Sequence, residues 1–253
     1  MFSRLKSFAE KRIRAHKWGI NLVLSEGFQL PDKVVLNGKS VHLNLPKEQG
    51  VSVAFSEIVF ADCYGLSLAK GTINTVLDIG GNVGLFSLAA RQAFPNAKIH
   101  AYEPNPQQEK YLEVQAKAAN FQYFLEAVEL EDGHVSLDLH DDSVQTTSQV
   151  DDSGKIPAIA FRKAVDRLGG TVDFAKVDCE GAEWRIWKDY DAWQKVRHLS
   201  CEYHIQDGHT HEEAASQITS LGFTITYQER ADTFGVIRAF RDAKDIVLGD
   251  INR

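Results

Sequence analysis

The apolar residues change rhythm along the chain. The first eighteen residues place Phe2, Leu5, Phe8 and Ile13 at helical spacing among six Lys/Arg, which predicts a basic amphipathic helix. Such a helix can lie on an anionic membrane surface, but packing on its own domain or on a second copy of the chain is expected. From about Pro31 to Asn74 the apolar runs are short and alternating or mixed: Val34-Val35-Leu36, Val41-His42-Leu43-Asn44-Leu45 and Val51-Ser52-Val53-Ala54-Phe55. Asn37-Gly38 lies between the first two and predicts a small hairpin within a β-rich cap. After Gly71, the apolar strand Thr75-Val76-Leu77-Asp78 runs into glycines and then into a helix from Leu85 that closes before Pro95.

Strands and helices then alternate. Strands are predicted at 98–103, 121–128, 133–139, 157–161, 173–178 and 196–204, with helices at 106–119, 161–168, 183–195 and 211–221 and a polar loop at 141–154. Segments 222–228 and 234–241 form a terminal hairpin. Repeated strand-helix units predict an α/β fold, a mainly parallel sheet covered on both faces with a C-terminal antiparallel element. The expected organisation is a helix and cap over 1–70 and an α/β domain over 71–253.

Composition narrows the classes. The 253 residues are 43% hydrophobic and 25% charged, an ordinary globular balance. The net charge of −7, from 28 basic and 35 acidic residues, argues against a broad phosphate-binding surface, so no nucleic-acid partner is expected. Cys63, Cys179 and Cys201 are odd in number and widely spaced, which suggests neither a disulfide framework nor a zinc site. No run approaches the roughly 18 apolar residues of a spanning helix, and the N-terminus lacks a secretory core. A cytoplasmic location is the simplest expectation.

In a parallel sheet, ligands sit beyond the carboxyl ends of the strands. Asp78, Glu103, Glu126, Asp178 and Glu202 all fall there. Gly80, Gly81 and Gly84 permit a tight strand-to-helix turn and close approach of a ligand. No register of this turn supplies the G-x-G-x-x-G of a dinucleotide site, and no P-loop Lys-Ser/Thr pair follows. Glu103, about 20 residues on, suits the ribose of any adenosine cofactor. Asp78 before the glycines suits the ammonium of S-adenosylmethionine and would repel a pyrophosphate.

Five segments then carry a resemblance: Val76-Leu-Asp-Ile-Gly-Gly-Asn-Val-Gly-Leu-Phe-Ser87, Tyr102-Glu-Pro-Asn-Pro106, Glu126-Ala-Val128, Lys176-Val-Asp-Cys-Glu-Gly-Ala-Glu183 and Glu202-Tyr-His204. Together they resemble the FkbM-type methyltransferases of the class I S-adenosylmethionine-dependent fold. The resemblance implies a seven-stranded Rossmann-like sheet, S-adenosylmethionine as donor with S-adenosylhomocysteine as product, and usually O-methylation of a sugar, glycan or natural-product hydroxyl. It also implies that Asp78, Gly80, Gly81, Asn82 and Gly84 shape the methionine pocket, that Glu103 holds the ribose, and that Glu126 and Ala127 border the adenine. Cys179 stands where the family commonly has a branched apolar residue and is expected to face the core.

A hydroxyl acceptor must lose a proton as its oxygen takes the methyl, so a base or a metal is expected nearby. Glu202 and His204 share a strand face by the two-residue period, and Asp178, Glu180 and Glu183 lie one strand away. Two mechanisms remain open: His204 as base with Asp178 or Glu202 orienting its ring, which is preferred, or a divalent cation such as magnesium on Asp178, Glu180 or Glu202. Glu183 reads equally as a favourable charge at a helix N-terminus. Lys176, inside a core strand, reads as a buried ion-pair partner or a site residue. The stretch from Tyr203 to His211, with His209 and His211, reads as a polar loop on the acceptor side. A catalytically silent adenosine-binding subunit, or a methyltransferase acting on nucleic acid or protein, are the alternative readings.

Overall fold

The computed structural model describes residues 2–21, 29–138, 147–151 and 153–241, with the side chains of 2–8 and 147–148 left aside. In chain order the strands are β1 (Lys33–Leu36), β2 (Lys39–His42), β3 (Thr75–Ile79), β4 (Lys98–Tyr102), β5 (Gln122–Phe124), β6 (Ala127–Glu129), β7 (Gly133–Asp138), β8 (Thr147–Val150), β9 (Ile156–Ala160), β10 (Val172–Val177), β11 (Val196–His204), β12 (Thr224–Arg230) and β13 (Phe234–Phe240). The α-helices are α1 (Phe2–Lys17), α2 (Gln49–Phe55), α3 (Leu85–Ala93), α4 (Glu109–Ala119), α5 (Phe161–Leu168), α6 (Glu183–Ile186), α7 (Tyr190–Trp193) and α8 (His211–Ser220).

Seven strands form the main sheet in the order β12-β13-β11-β10-β3-β4-β5. Counted along this sheet alone the order is 3-2-1-4-5-7-6 from the β5 edge. β5, β4, β3, β10 and β11 run parallel, and β13 enters antiparallel between β11 and β12. The chain reverses direction across β3, which leaves a crevice beyond the carboxyl ends of β3 and β10, the place where open α/β sheets bind ligands.

The two faces of the sheet bury separate cores, as the strand period requires. Val76 and Phe174 pack on one face with Phe86, Leu112 and the cap residues Trp18, Phe55 and Phe60. Leu77, Ile79, Ala175, Val177, Cys201 and Tyr203 pack on the other with Phe161, Trp187 and Trp193. The cap thus shares a core with the main sheet. α1 lies against it too: the Arg14 guanidinium donates to the carbonyl of Ala61 (2.9 Å), and Ala15 and Trp18 are buried.

Four sequence expectations are corrected. Val51–Phe55 is helical, and the helix continues through a π-helical turn at Ser56–Ala61. The apolar alternation there mimics a strand, yet Val51, Phe55 and Val59, spaced by four, are buried while Val53 is exposed. By length and composition Gln49–Leu68 could cross a membrane, but Val51, Phe55, Val59, Phe60 and Leu66 are buried in the protein's own core. The strand expected at 121–128 is cut in two: β5 pairs with β4, whereas β6 joins a four-stranded sheet ordered β6-β9-β7-β8. Part of the expected 141–154 loop is β8, paired antiparallel with β7, and 139–146 lie outside the described residues. The helix expected at 183–195 is two short helices, α6 and α7, with the Asp189 side chain accepting from Ala192 N at the start of the second.

Candidate active site

The turn after β3 is built on one steric fact. Gly80 has φ +79°, and a Cβ there would lie 1.6 Å from the Asp178 carbonyl oxygen, so only glycine lets β3 and β10 close at their ends. Gly80 and Gly81 N–H both donate to the Tyr102 carbonyl (3.0 and 2.9 Å), tying the turn to β4. Gly84, also left-handed at φ +86°, starts α3 and packs on Leu112, Gln115 and Phe121. Its role is helix placement.

Glu103 lies just beyond β4 and is 7% exposed. Its two carboxylate oxygens accept from Asn82 N–H and Asn105 N–H, both at 2.8 Å. Burial nevertheless raises its pKa to about 7, against the pull of those donors. Gly80, Gly81, Asn82 and Glu103 line a cavity of about 910 Å³, counting its mouth, with Ala127 and Val128 of β6, Val51, Ala54 and Ile58 of the cap helix, and Tyr64. A carboxylate with lone pairs to spare, a glycine turn open to close approach and an apolar wall fit the ribose, methionine and adenine parts of an adenosyl donor.

Two expected donor contacts lie elsewhere. Asp78 is fully buried and off the cavity wall: its Oδ2 accepts from the Ser87 hydroxyl (2.7 Å), and its Oδ1 lies 3.5 Å from Lys176 Nζ. It braces the turn from below, and burial raises its pKa. Glu126 falls in the break between β5 and β6 and pairs with Arg167 (2.5 Å), away from the cavity, although its neighbour Ala127 lines it. Cys179, expected only in the core, packs on the β10–β11 core and also lines the cavity.

Lys176 shares a face with Asp78, its register partner on β3, and with Asp178. Its ammonium donates to the carbonyls of Ile79 (3.2 Å) and Gly80 (2.5 Å) and stands 3.5 Å from Asp78 and Asp178. The Asp178 carboxylate also accepts from the Tyr64 hydroxyl (2.9 Å), so the cap reaches the end of β10 directly.

The acidic cluster converges as expected, around a different centre. His204 Nε2 is 3.2 Å from Glu180 and 3.9 Å from Glu202; Nδ1 is 3.4 Å from Glu183. Glu183, expected equally as a helix-end charge, is fully buried and curls back onto its own loop, where its oxygens accept from Cys179 N–H (2.9 Å) and Gly181 N–H (2.7 Å). Burial works to lower the His204 pKa, but Glu183 and Glu180 outweigh it and raise it to about 9. Glu183, not Asp178 or Glu202, is the acid beside Nδ1, although Nδ1 makes no hydrogen bond among the described residues. Burial raises Glu180 to about 7 and Glu202 to about 8. Ligand atoms of Asp178, Glu180 and His204 lie within 4.8 Å of one another, a spacing a divalent cation could bridge. His209 stacks on Trp184 (3.9 Å between centroids), and the His211 ring contacts the Tyr203 hydroxyl and the Ala231 carbonyl, so neither joins this cluster.

A second cleft opens beside the first. It shares Ala54, Ile58, Tyr64, Asp178 and Glu180 with the first cavity and adds Glu57, Glu202, Glu229 and the exposed Val53 and Phe234. Sequence reasoning gave no site role to Glu57 and Tyr64 of the cap, which lie in segments similar to the family's lead-in, or to Glu229 of β12, which has no motif of its own.

The strand order with its antiparallel seventh strand, together with a glycine turn and acidic strand end at the crevice, is the fold of the class I S-adenosylmethionine-dependent methyltransferases. No protein-family model matches the chain. One stretch of 74 residues, 28% of the chain, is 36% identical to 31-O-demethyl-FK506 methyltransferase FkbM of Streptomyces tacrolimicus, and it spans about a quarter (26%) of that protein. Solved structures of similar shape include precorrin-6y C5,15-methyltransferase from Geobacter metallireducens (16% identity, 85% of this chain and 100% of that one, TM-score 0.46). Another is Aeropyrum pernix fibrillarin with bound S-adenosyl-L-methionine (12% identity, 67% of each chain, TM-score 0.43).

Proposed function

We propose that the protein is an FkbM-type S-adenosylmethionine-dependent methyltransferase that methylates a hydroxyl of a small-molecule, sugar or glycan acceptor. The observation that carries this reading is the junction of two clefts at Tyr64, Asp178 and Glu180. A donor lying along the glycine turn and Glu103 would present its methyl at that junction, and an acceptor in the second cleft would meet it there. Alignment of this kind, with water excluded, is the main work of a methyl transfer. Glu103 would hold the ribose, Gly80 to Asn82 the methionine portion, and Ala127 and Val128 the adenine. The sulfonium donor supplies the activated methyl; the protein supplies orientation and a place for the acceptor's proton.

The second cleft favours a hydroxyl acceptor over nucleic acid. Five carboxylates line it, from Glu57, Asp178, Glu180, Glu202 and Glu229, and no Lys or Arg does so among the described residues. Phosphate backbones are bound by the opposite charge, whereas carboxylates accept hydrogen bonds from hydroxyls. Calorimetric titration should show S-adenosylhomocysteine binding to the wild type and much weaker binding to Glu103→Ala. Methyl transfer from radiolabelled donor should then be screened over hydroxylated sugars and polyketides. Equal affinity of both proteins for S-adenosylhomocysteine would sink the donor assignment; labelling of RNA or of protein alone would sink the acceptor class.

A further inference from the structure

Transfer to a hydroxyl needs a group that takes its proton, and the identity of that group matters only if the methyltransferase reading holds, on which it rests. The histidine of the cluster does not face the reaction: His204 lies on the wall of neither cleft, whereas Glu180 lies on both. Glu180 thus stands between the donor cavity and the imidazole, with its carboxylate 3.2 Å from Nε2. The other side of the ring is closed by Glu183, itself fixed by two backbone N–H groups, and the His204 carbonyl accepts from Trp184 Nε1 (2.8 Å). The groups facing the ring are Glu180, Glu183 and Glu202, with the Asp178 charge behind them. The two other acids near the junction are less free. Asp178 is engaged by Tyr64 and Lys176, and Glu202 lines only the acidic cleft. Glu180 also has a left-handed backbone (φ 55°), a cost that persists only where the surroundings hold the residue in place.

We propose that Glu180 is the catalytic residue that accepts the acceptor's proton, and that His204, set between Glu180 and Glu183, is the positioning residue that keeps Glu180 ionised and aimed. The acceptor oxygen forms its bond to the methyl carbon while the carbon–sulfur bond breaks, its electron pair passing to sulfur and neutralising the sulfonium. The hydroxyl proton goes to the Glu180 carboxylate and leaves through the acidic cleft, to which Glu180 is open. A carboxylate with a pKa near 7 suits this task, because it is ionised enough to accept and basic enough to pull. The role expected for His204 passes to the residue in front of it.

The test uses the full chain labelled with ¹⁵N-histidine and ¹³C-glutamate, with and without S-adenosylhomocysteine. Wild type should show both His204 nitrogens protonated at about pH 7.5, and Glu183→Gln should lower the pH at which that proton is lost by at least about one unit. The carboxyl signal lost in Glu180→Gln should titrate near neutrality in the wild type. With any acceptor found in the screen, Glu180→Gln should lower kcat about 10²- to 10⁴-fold with little change in donor affinity. Glu183→Gln should shift the pH profile of kcat and leave substantial turnover. A His204 with one bare nitrogen at that pH, or a Glu180→Gln variant that keeps wild-type kcat, overturns the proposal. Failure of S-adenosylhomocysteine to bind would instead sink the donor reading, since the histidine measurement is also made without ligand.

Discussion

Replacing Lys176 by Met removes the only cation that touches the floor of the donor turn among the described residues. Lys176 is 3% exposed and Asp78 fully buried, so solvent does little to screen their interaction. Two hydrogen bonds from a charged donor, to the carbonyls of Ile79 and Gly80, disappear with the ammonium; each is worth about 1.5–3 kcal/mol. Asp78 is left with the Ser87 hydroxyl on one oxygen and nothing on the other. These losses overlap, and breaking a buried pair from one side costs about 3–5 kcal/mol in all. With a urea m-value of about 3 kcal/mol/M, the unfolding midpoint should fall by about 1–1.7 M. The loss should shrink in mildly acid buffer, because Asp78, whose pKa burial already raises, then takes up a proton and needs no partner. Lys176→Met with Asp78→Asn should recover part of the loss, giving a coupling of about 0.5–3 kcal/mol in a double-mutant cycle. A midpoint shift below about 0.3 M, or a loss of the same size with Asp78 already neutralised, would refute the claim that the pair braces the turn.

Gly80→Ala should cost at least about 2 kcal/mol and abolish S-adenosylhomocysteine binding, since it adds a left-handed penalty to a backbone collision; Gly133→Ala, where a Cβ meets nothing within 4 Å, should be neutral in the same melts. Stability of the unliganded protein should fall as pH rises from about 5 to about 9. Glu103, Glu180 and Glu202 hold a proton more tightly folded than unfolded, so each favours the fold below its ordinary value near 4.5 and loses that contribution on the way to about 7 or 8. His204 adds the same sign, full below 6.5 and lost through about 9. Thermal melts of Glu103→Gln should lack the part of the decline between about 4.5 and 7 and keep the rest; an unchanged slope there would count against a buried, proton-binding Glu103. Tyr64→Phe should cost about 1 kcal/mol, read by urea unfolding, for the lost bond to Asp178.

The sequence carries the main sheet clearly because apolar strands, glycine turns and helical faces repeat along it, and the Asn37-Gly38 hairpin and terminal antiparallel pair are equally plain. The donor turn and Glu103 are legible for the same reason: their chemistry is local. What the sequence hides is set by distant contacts. Val51–Phe55 alternates like a strand, and it is a helix that buries Val51 and Phe55 in the core shared by the cap and the main sheet. The break at Glu126 depends on β6 pairing with β9, thirty residues on. Asp78 looks like a ligand contact until Lys176 and Ser87 are seen to claim it. Glu183 is the acid at the start of α6 that the sequence offers, but nothing in its neighbourhood of sequence shows that its oxygens return to residues 179 and 181, or that His204 stands beside them.

The donor cavity has walls from three separately built pieces: Gly80 to Asn82 and Glu103 on the main sheet, Ala127 and Val128 on the four-stranded sheet, and Val51, Ala54 and Ile58 on the cap helix. A molecule filling it acts as mortar between bricks laid apart. Occupancy and the alignment of all three are then one equilibrium, so ligand should raise the melting temperature, and loosening any piece should weaken binding without touching a contact. Substitutions in β7 or β9, remote from the glycine turn, belong in that class: their effect should surface first as a change in affinity for the donor.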